Sequence, residues 1–509
     1  CTNVALTAQG KWRDVVPWLA SIPTGRLLVP DLDRLRPEPL GAPPCASARS
    51  ISELPPLAGP LVGQHHREVV RPDGGLLVFS YDTRYGDLVL TEVSPGLAIT
   101  SSRPLDGVPE GPVVGAETSY RGGVAAPGPD RGRHLTLSVD PSNDTAELLY
   151  QDRDTQQVRY LRVRLSDQVV ERTMALPVAG RAGRSSCLTR DPISGRTVGL
   201  VFVSEDDTGT SSQLVRVTAK TATPESSEDW EAQIVLERPL PLRSTTPCND
   251  ACGLFDVCAR GPEGDVCVSA LDVQACDTGA GCGFHEICVA LEGPDTPGCY
   301  PRVYRQTVAD KMPFGAGLQL ACEAWNDELV AVWFDADARR ALAARGSPLG
   351  ANPEEIWGAD GEGVEIRGSA VAFSEAGDAH IALYAPQLHG FALADEGSPW
   401  ELAEVSWGSA SGVSAGAWPS LAYPAPEQLV VVSTDPNRGD VWVSARDENG
   451  CWSHQALLVA GGFIEGRVIQ ASAQTVRFSA VELTFDADLK PLHRLVFLDA
   501  PLPTCAGAP

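Results

Sequence analysis

From residue 65 onward the chain repeats one local pattern: an apolar run of strand type, a turn carrying Asp, Asn or Gly, and a second strand. The apolar runs are Leu76–Asp82, Ala146–Asp152, Val198–Ser204, Leu329–Asp335, His380–Tyr384, Gln428–Ser433 and Ser479–Asp486. Partner strands follow several of them, at Asp87–Leu90, Val158–Val163, Gln213–Val217 and Asp440–Ser444. Each run is rich in Val, Leu, Phe and Tyr and is bounded by turn residues. The last four recur about every 50 residues, and the third and fourth are separated by a wider gap. An inserted block accounts for that gap.

Several strands per period of about 50 residues is the signature of a β-propeller. A lone four-stranded sheet cannot bury both faces, whereas blades around an axis bury them on each other and protect the edges. The pattern therefore predicts an all-β fold, a seven-bladed β-propeller with a small disulfide-rich insert. Six blades is the alternative count, and two stacked β-sandwich domains the rival architecture. Helical signal is weak. Residues 336–345 are rich in Ala and Arg but lack an apolar stripe.

Residues 1–64 contain ten prolines and read as an N-terminal tether. Blades are expected over residues 65–240 and 304–509, with the Cys-rich insert between them at 241–303.

Eight of the fourteen cysteines fall in the insert: Cys248, Cys252, Cys258, Cys267, Cys276, Cys282, Cys288 and Cys299. The segment is too poor in apolar residues to hold itself together, so disulfides are expected to staple it. Zinc is the other reading of clustered cysteines. It needs closely spaced pairs, and only Cys248 and Cys252 come that close. Disulfides place the chain in an oxidising compartment: extracytoplasmic, at an outer membrane or cell surface. Residue 1 is a Cys, as in a mature bacterial lipoprotein, which this start resembles. That resemblance implies an acylated Cys1, with membrane attachment through the lipid alone; a disulfide at Cys1 is the competing reading. Outside the insert, Cys187 and Cys322 each precede the apolar strand of consecutive copies. A bond between them would clamp the ring across the insertion point.

Cys252–Cys258 and Cys282–Cys288 share a Cys-Gly-x4-Cys core that resembles the first part of EGF-like modules. The resemblance implies Cys248–Cys258, Cys252–Cys267, Cys276–Cys288 and Cys282–Cys299. The terminal Cys-x-Cys of a full EGF module is missing. The block from Cys248 to Cys299 carries nine Asp or Glu and one Arg. It reads either as a docking surface or calcium-tuned module, or as a decorated loop.

The turn Ser444–Trp452 resembles the Asp-box of sialidase-like propellers, with each interval off by one. The same physics is expected of it: an Asp carboxylate can satisfy turn amides, a Gly can take positive φ and an aromatic plugs the gap between strands. In that family the box is structural, so it implies no activity. Ser204–Gly209 is a fainter echo.

The formal net charge is −26, with no cluster among the 40 basic residues, so nucleic acid is not an expected partner. No apolar run is long enough for a membrane-spanning helix. His65 and His66 are adjacent, and in a regular strand they would face opposite ways, which is poor for chelation. No zinc-protease, nucleophile-elbow or P-loop motif occurs. No cofactor and no metal beyond structural calcium is expected, and no catalytic residue is assigned. Trp333 and Trp442 lie within strands and are expected in the core. Trp357, Trp400, Trp407 and Trp418 lie nearer loops and are the candidate partner contacts. The expected role is a non-catalytic lipoprotein, a protein-binding scaffold subunit of an envelope assembly. The alternative is an extracellular glycan-binding protein or a glycan-acting hydrolase. The hydrolase would require arginines and carboxylates converging on the central channel.

Overall fold

The computed structural model describes residues 62–83, 86–107, 128–206, 211–239, 256–261, 264–269, 286–289, 298–301, 305–306, 320–326, 328–335, 340–357, 366, 368–385, 388, 390–397, 400–406, 413, 415–425, 428–436, 438–459, 462–485 and 491–505. It is an all-β, seven-bladed propeller. Blades one to six are antiparallel four-stranded sheets in sequential order, and the seventh has three strands among the described residues. The 3-10 turn Ser227–Asp229 is a rare helical element in it.

The innermost strands are Val62–Val70, Arg131–Asp140, Arg181–Arg190, Ala321–Trp325, Gly368–Phe373, Ala417–Ala425 and Phe463–Ala471. The apolar runs of the sequence form the second strand of every blade, from Leu76–Asp82 to Thr475–Phe485. Neighbouring blades cover a second strand on both sides, so it is buried along its length, as in Leu76–Asp82, Thr145–Asp152 and Ala379–Ala385. Outer strands such as Ile99–Asp106 are largely open to solvent.

Strand alternation sends successive residues to opposite seams. Leu77 and Phe79 pack with Leu148 and Tyr150 of the second blade. Leu76 and Val78 pack instead with Ile464, Val481, Leu495 and Phe497 of the seventh. Comparable clusters fill the other five seams. The seam between last and first blades is thus as apolar as the rest, and the wheel is closed by side-chain packing. Trp333 and Trp442 lie in these interiors, each under a tenth exposed.

The boundaries shift slightly from the sequence reading. The first strand opens at Val62, inside the stretch read as tether, and residues 1–61, with Cys1, lie outside the described residues. Arg305–Gln306 pairs with Asp256–Gly261 of the insert, so the insert runs past residue 303. The wheel resumes at Ala321–Trp325. In the insert, Cys258 sits opposite Cys267, and Cys288 opposite Cys299, in two hairpins. Its sulfur connectivity lies outside the described residues. The Ala/Arg-rich stretch supplies a strand, Arg340–Arg345.

Candidate functional site: the channel mouth

Five of the inner strands are not regular. Their pairing with the second strand slips near its start, between Val62 and Arg67, Arg131 and Thr136, Ala182 and Ser186, Ala417 and Ser420, and Ile464 and Arg467. The inner strands of blades four and five pair without a slip. Each slip is a bulge with a left-handed residue at its centre: His65 (φ 55°), His134 (φ 53°), Gly183 (φ 88°), Trp418 (φ 49°) and Glu465 (φ 53°). Left-handed backbone costs a non-glycine residue on the order of 1 kcal/mol or more, and bulges re-aim side chains. Blades seven, one and two thereby bring Glu465, His65 and His134 into one row at the channel.

The expectation that His65 and His66 face opposite ways fails here. The bulge breaks the alternation and turns both imidazoles toward one carboxylate. Nδ1 of His65 lies 3.5 Å from Glu465 Oε1, and Nδ1 of His66 lies 3.6 Å from Glu465 Oε2. The His65 backbone N–H also donates to Glu465 Oε2 at 2.5 Å. On its other side the His65 ring lies against that of His134, with centroids 4.6 Å apart and the planes tilted by 37°. The sequence did carry a signal: Gly63 and Gly132 each stand two residues before their histidine, and Gly416 two before Trp418.

Behind this row is a buried network. Nε2 of His66 lies 2.9 Å from Ser479 Oγ, and the Ser479 hydroxyl donates to Glu68. Arg467 Nε stands 3.7 Å from Glu68, and Arg67 donates to the His66 carbonyl at 2.7 Å. Toward the second blade, Arg133 donates to the Tyr81 hydroxyl, which donates to Asp130 at 2.8 Å.

Burial disfavours every charge here, and the neighbours decide the outcome. Desolvation would raise the Glu465 carboxyl, but His65, His66 and Arg67 bring it down to about 2. Burial drives the His65 imidazole down to about 4, with Arg133 and Arg67 adding to the fall against the pull of Glu465. His134 is pushed well below the usual imidazole range by burial, then by His65, Arg133 and Arg184. Burial and the adjacent Arg467 lower Arg67 to about 9.

Ser, His and Glu side by side invite comparison with a nucleophilic triad, but the roles are misplaced. A triad carboxylate orients the histidine, leaving the hydroxyl free to attack. Here the carboxylate holds the serine, and Ser479 is fully buried. The arrangement is built to hold charges in place.

The other candidate residues scatter. Cys187 and Cys322 are joined, Cα atoms 5.6 Å apart, across the third and fourth blades. A second bond, missed in the sequence, ties Cys451 of the sixth blade to Cys505 beyond the last strand. Asp447 lies beside that pair, but its sulfurs are spent in the disulfide and offer no thiolate to a metal. In the turn before Trp452, Asp447 Oδ1 accepts from the amides of Asn449 and Cys451, and Gly450 has φ 77°. The turn physics read from sequence is therefore present. Ser204–Gly209 is only partly within the described residues. Trp400, a candidate contact, is instead buried at the seam of the fourth and fifth blades, under Arg345. Its position before an outer strand aims it between the sheets. Trp357 is half-buried in the strand Glu354–Trp357, packed against that same seam. Trp418 is half-buried in its bulge, and Trp407 lies outside the described residues.

No family model and no curated protein matches the chain. Among solved structures it is similar to an alpha-L-arabinofuranosidase from Fusarium graminearum, at 6% identity and TM-score 0.40, over 72% of this chain and 92% of that one. YCF48 bound to the D1 peptide follows at 10% identity and TM-score 0.36, over 88% and 100%. The propeller domain of the Trilobed protease from Pyrococcus furiosus aligns at 8% identity and TM-score 0.35, over 89% and 100%.

Proposed function

We propose that this chain is a non-catalytic binding propeller, a lipid-anchored scaffold subunit that works outside the cytosol at an outer membrane or cell surface and presents its channel mouth to a protein partner. The observation that carries this reading is the state of the channel-mouth groups. Glycoside hydrolysis needs a carboxylic acid held protonated near neutrality beside a second carboxylate. At the seam of blades seven, one and two, the carboxylate Glu465 is held in the opposite state, as a stabilised anion. The neighbouring imidazole of His65 is too weak a base to cycle a proton at pH 7. Ser479 is enclosed. The inter-blade disulfides Cys187–Cys322 and Cys451–Cys505 support an oxidising compartment and a rigid presenting face.

The second reading, a glycan-acting propeller, is favoured by one feature: arginines and carboxylates do converge at the channel, at the seam of blades seven, one and two. The two readings separate in one experiment. The full chain is isolated from native membranes in mild detergent and identified with its companions by mass spectrometry. Stoichiometric envelope proteins and an acylated N-terminal peptide are expected. A lone monodisperse chain that cleaves glycosides, with cleavage lost in Glu465→Gln, overturns the scaffold reading.

A further inference from the structure

The seventh blade stops one strand short of the other six. Among the described residues its sheet is Phe463–Ala471, Thr475–Phe485 and Pro491–Pro501, and no strand pairs with the outer edge of the last. In blades one to six the third strand carries an outer partner, as Asp87–Val93 carries Ile99–Asp106 and Asp440–Arg446 carries Trp452–Leu458. An open edge is usually blunted by charge, by proline or by shortness. Pro491–Pro501 has eleven residues, and its centre, Leu495–Leu498, is wholly apolar. Those four residues are at most 3% exposed, close to a third strand with its partner in place, where Leu88, Val89 and Leu90 are at most 1% exposed. The C-terminal chain does not supply the missing strand. Past Pro501 it turns toward blade six: the Leu502 amide donates to the Gln474 carbonyl, Leu502 packs in the seam of blades six and seven, and Cys505 is bonded to Cys451. Chain order points to the other end. An outer strand runs toward the channel mouth, and the chain then enters the inner strand of the next blade. Val170–Ala175 leads to Arg181–Arg190 through residues 176–180, and Trp452–Leu458 leads to Phe463–Ala471 through residues 459–462. By the same order, the strand outside blade seven is the one that precedes Val62–Val70.

We infer that the edge of Pro491–Pro501 is a docking site for the chain's own N-terminal segment, residues 45–54, which adds antiparallel to it as the outer strand of blade seven. This segment is the proline-free run between Pro43-Pro44 and Pro55-Pro56. Proline donates no ladder bond, so the two pairs bound the strand. Its ten residues equal the longest outer strand, Trp230–Pro239, and residues 55–61 leave a connection to Val62 nearly as short as those above. Its mixture of Arg49, Ser50, Ile51, Ser52, Glu53 and Leu54 is that of an outer strand such as Ile99–Asp106. The added strand begins beside Pro501, which pairs with Thr475 at the face away from the mouth. The tether upstream of Pro44 therefore leaves the wheel from that face. Resting on the lipid-anchored reading above, this turns the channel mouth away from the membrane, toward a partner.

The test uses the purified full chain alone, so its failure is separate from any failure to find a partner. Hydrogen exchange of the amides of Leu492–Ala500 is followed by mass spectrometry, and slow exchange is expected. Neighbouring residues of a strand direct their amides to opposite sides, so one of Ser50 and Ile51 donates to this edge. Ser50→Pro or Ile51→Pro should therefore speed exchange there by about tenfold or more, while Ala8→Pro, far up the tether, leaves it unchanged. Trypsin gives a second reading in the unaltered chain: cleavage after Arg49 should be slow in the native state and fast in urea. Fast exchange across Leu492–Ala500 in the unaltered chain, or rapid native cleavage after Arg49, overturns the inference. Slow exchange that neither proline variant disturbs overturns it too, and a further dependence on protein concentration would assign the edge to a second copy of the chain.

Discussion

His65 shows how one backbone angle sets the chemistry of a site. With φ at 55° its ring leaves the strand alternation and meets Glu465 and His134 together. The energetic consequence is a pH dependence with a definite sign. The folded imidazole titrates at about 4, against 6.5 in the unfolded chain. Between those values the unfolded state binds more protons, so acid favours it. Stability should fall as pH drops from about 6.5 toward 4, by roughly 3 kcal/mol from this group. Glu465, held at about 2 against 4.5, extends the loss to lower pH, because its carboxylate stabilises the fold only while ionised. Urea midpoints measured from pH 7.5 to 4 should show this slope, and His65→Gln should flatten it above pH 4.5. A slope unchanged in the variant would assign it elsewhere. Gly132 is the other decisive residue. Its φ is +112°, and a Cβ there would stand 2.8 Å from the Leu88 Cα of the preceding blade. Gly132→Ala should therefore cost roughly 2–4 kcal/mol in chemical denaturation, more than a surface substitution.

At the scale of the element, the disulfide Cys187–Cys322 joins inner strands whose cysteines stand 135 residues apart, with the rest of the third blade and the insert between them. Closing so long a loop restricts the unfolded state strongly, so replacing both cysteines with Ser should lower stability by about 3–5 kcal/mol, read from urea midpoints with the Cys451–Cys505 bond intact. This bond was legible in the sequence because both cysteines hold the same position in consecutive repeats. Cys505 holds no position in any repeat, and its bond to Cys451 was not legible. The same distinction runs through the strands. Second and third strands are covered on both faces, so they spell continuous apolar runs such as Leu76–Asp82, and all seven second strands could be read directly. Five of the inner strands are interrupted by bulges, and they mix polar residues with apolar ones, as in Val62–Val70. Their periodicity is broken where the candidate site forms, so alternation assigned His65 and His66 to opposite faces. Trp400 was misjudged for a related reason: proximity to a loop says nothing about which way a ring turns at a seam.

For the whole molecule, the decisive feature is that all seven seams carry apolar clusters, including the one that joins the last blade to the first. A wheel closed by packing does not need the insert for closure. The insert's strands pair among themselves, Asp256–Gly261 with Gly264–Ser269 and Arg305–Gln306, and Glu286–Val289 with Gly298–Pro301. Among the described residues none of them extends a blade sheet. Meanwhile the third and fourth blades meet through Leu200, Leu214, Leu329 and Trp333 and through the Cys187–Cys322 bond. Replacing residues 241–319 by a short Gly/Ser linker should therefore leave the melting temperature within a few degrees of the full chain. It should also remove a segment rich in acid, so any partner that docks on negative charge would be lost while one that reads the channel mouth would stay. A melting temperature lowered by tens of degrees on excision would mean that the insert braces the wheel, and the architecture would then be one cooperative body instead of a closed ring carrying an outgrowth.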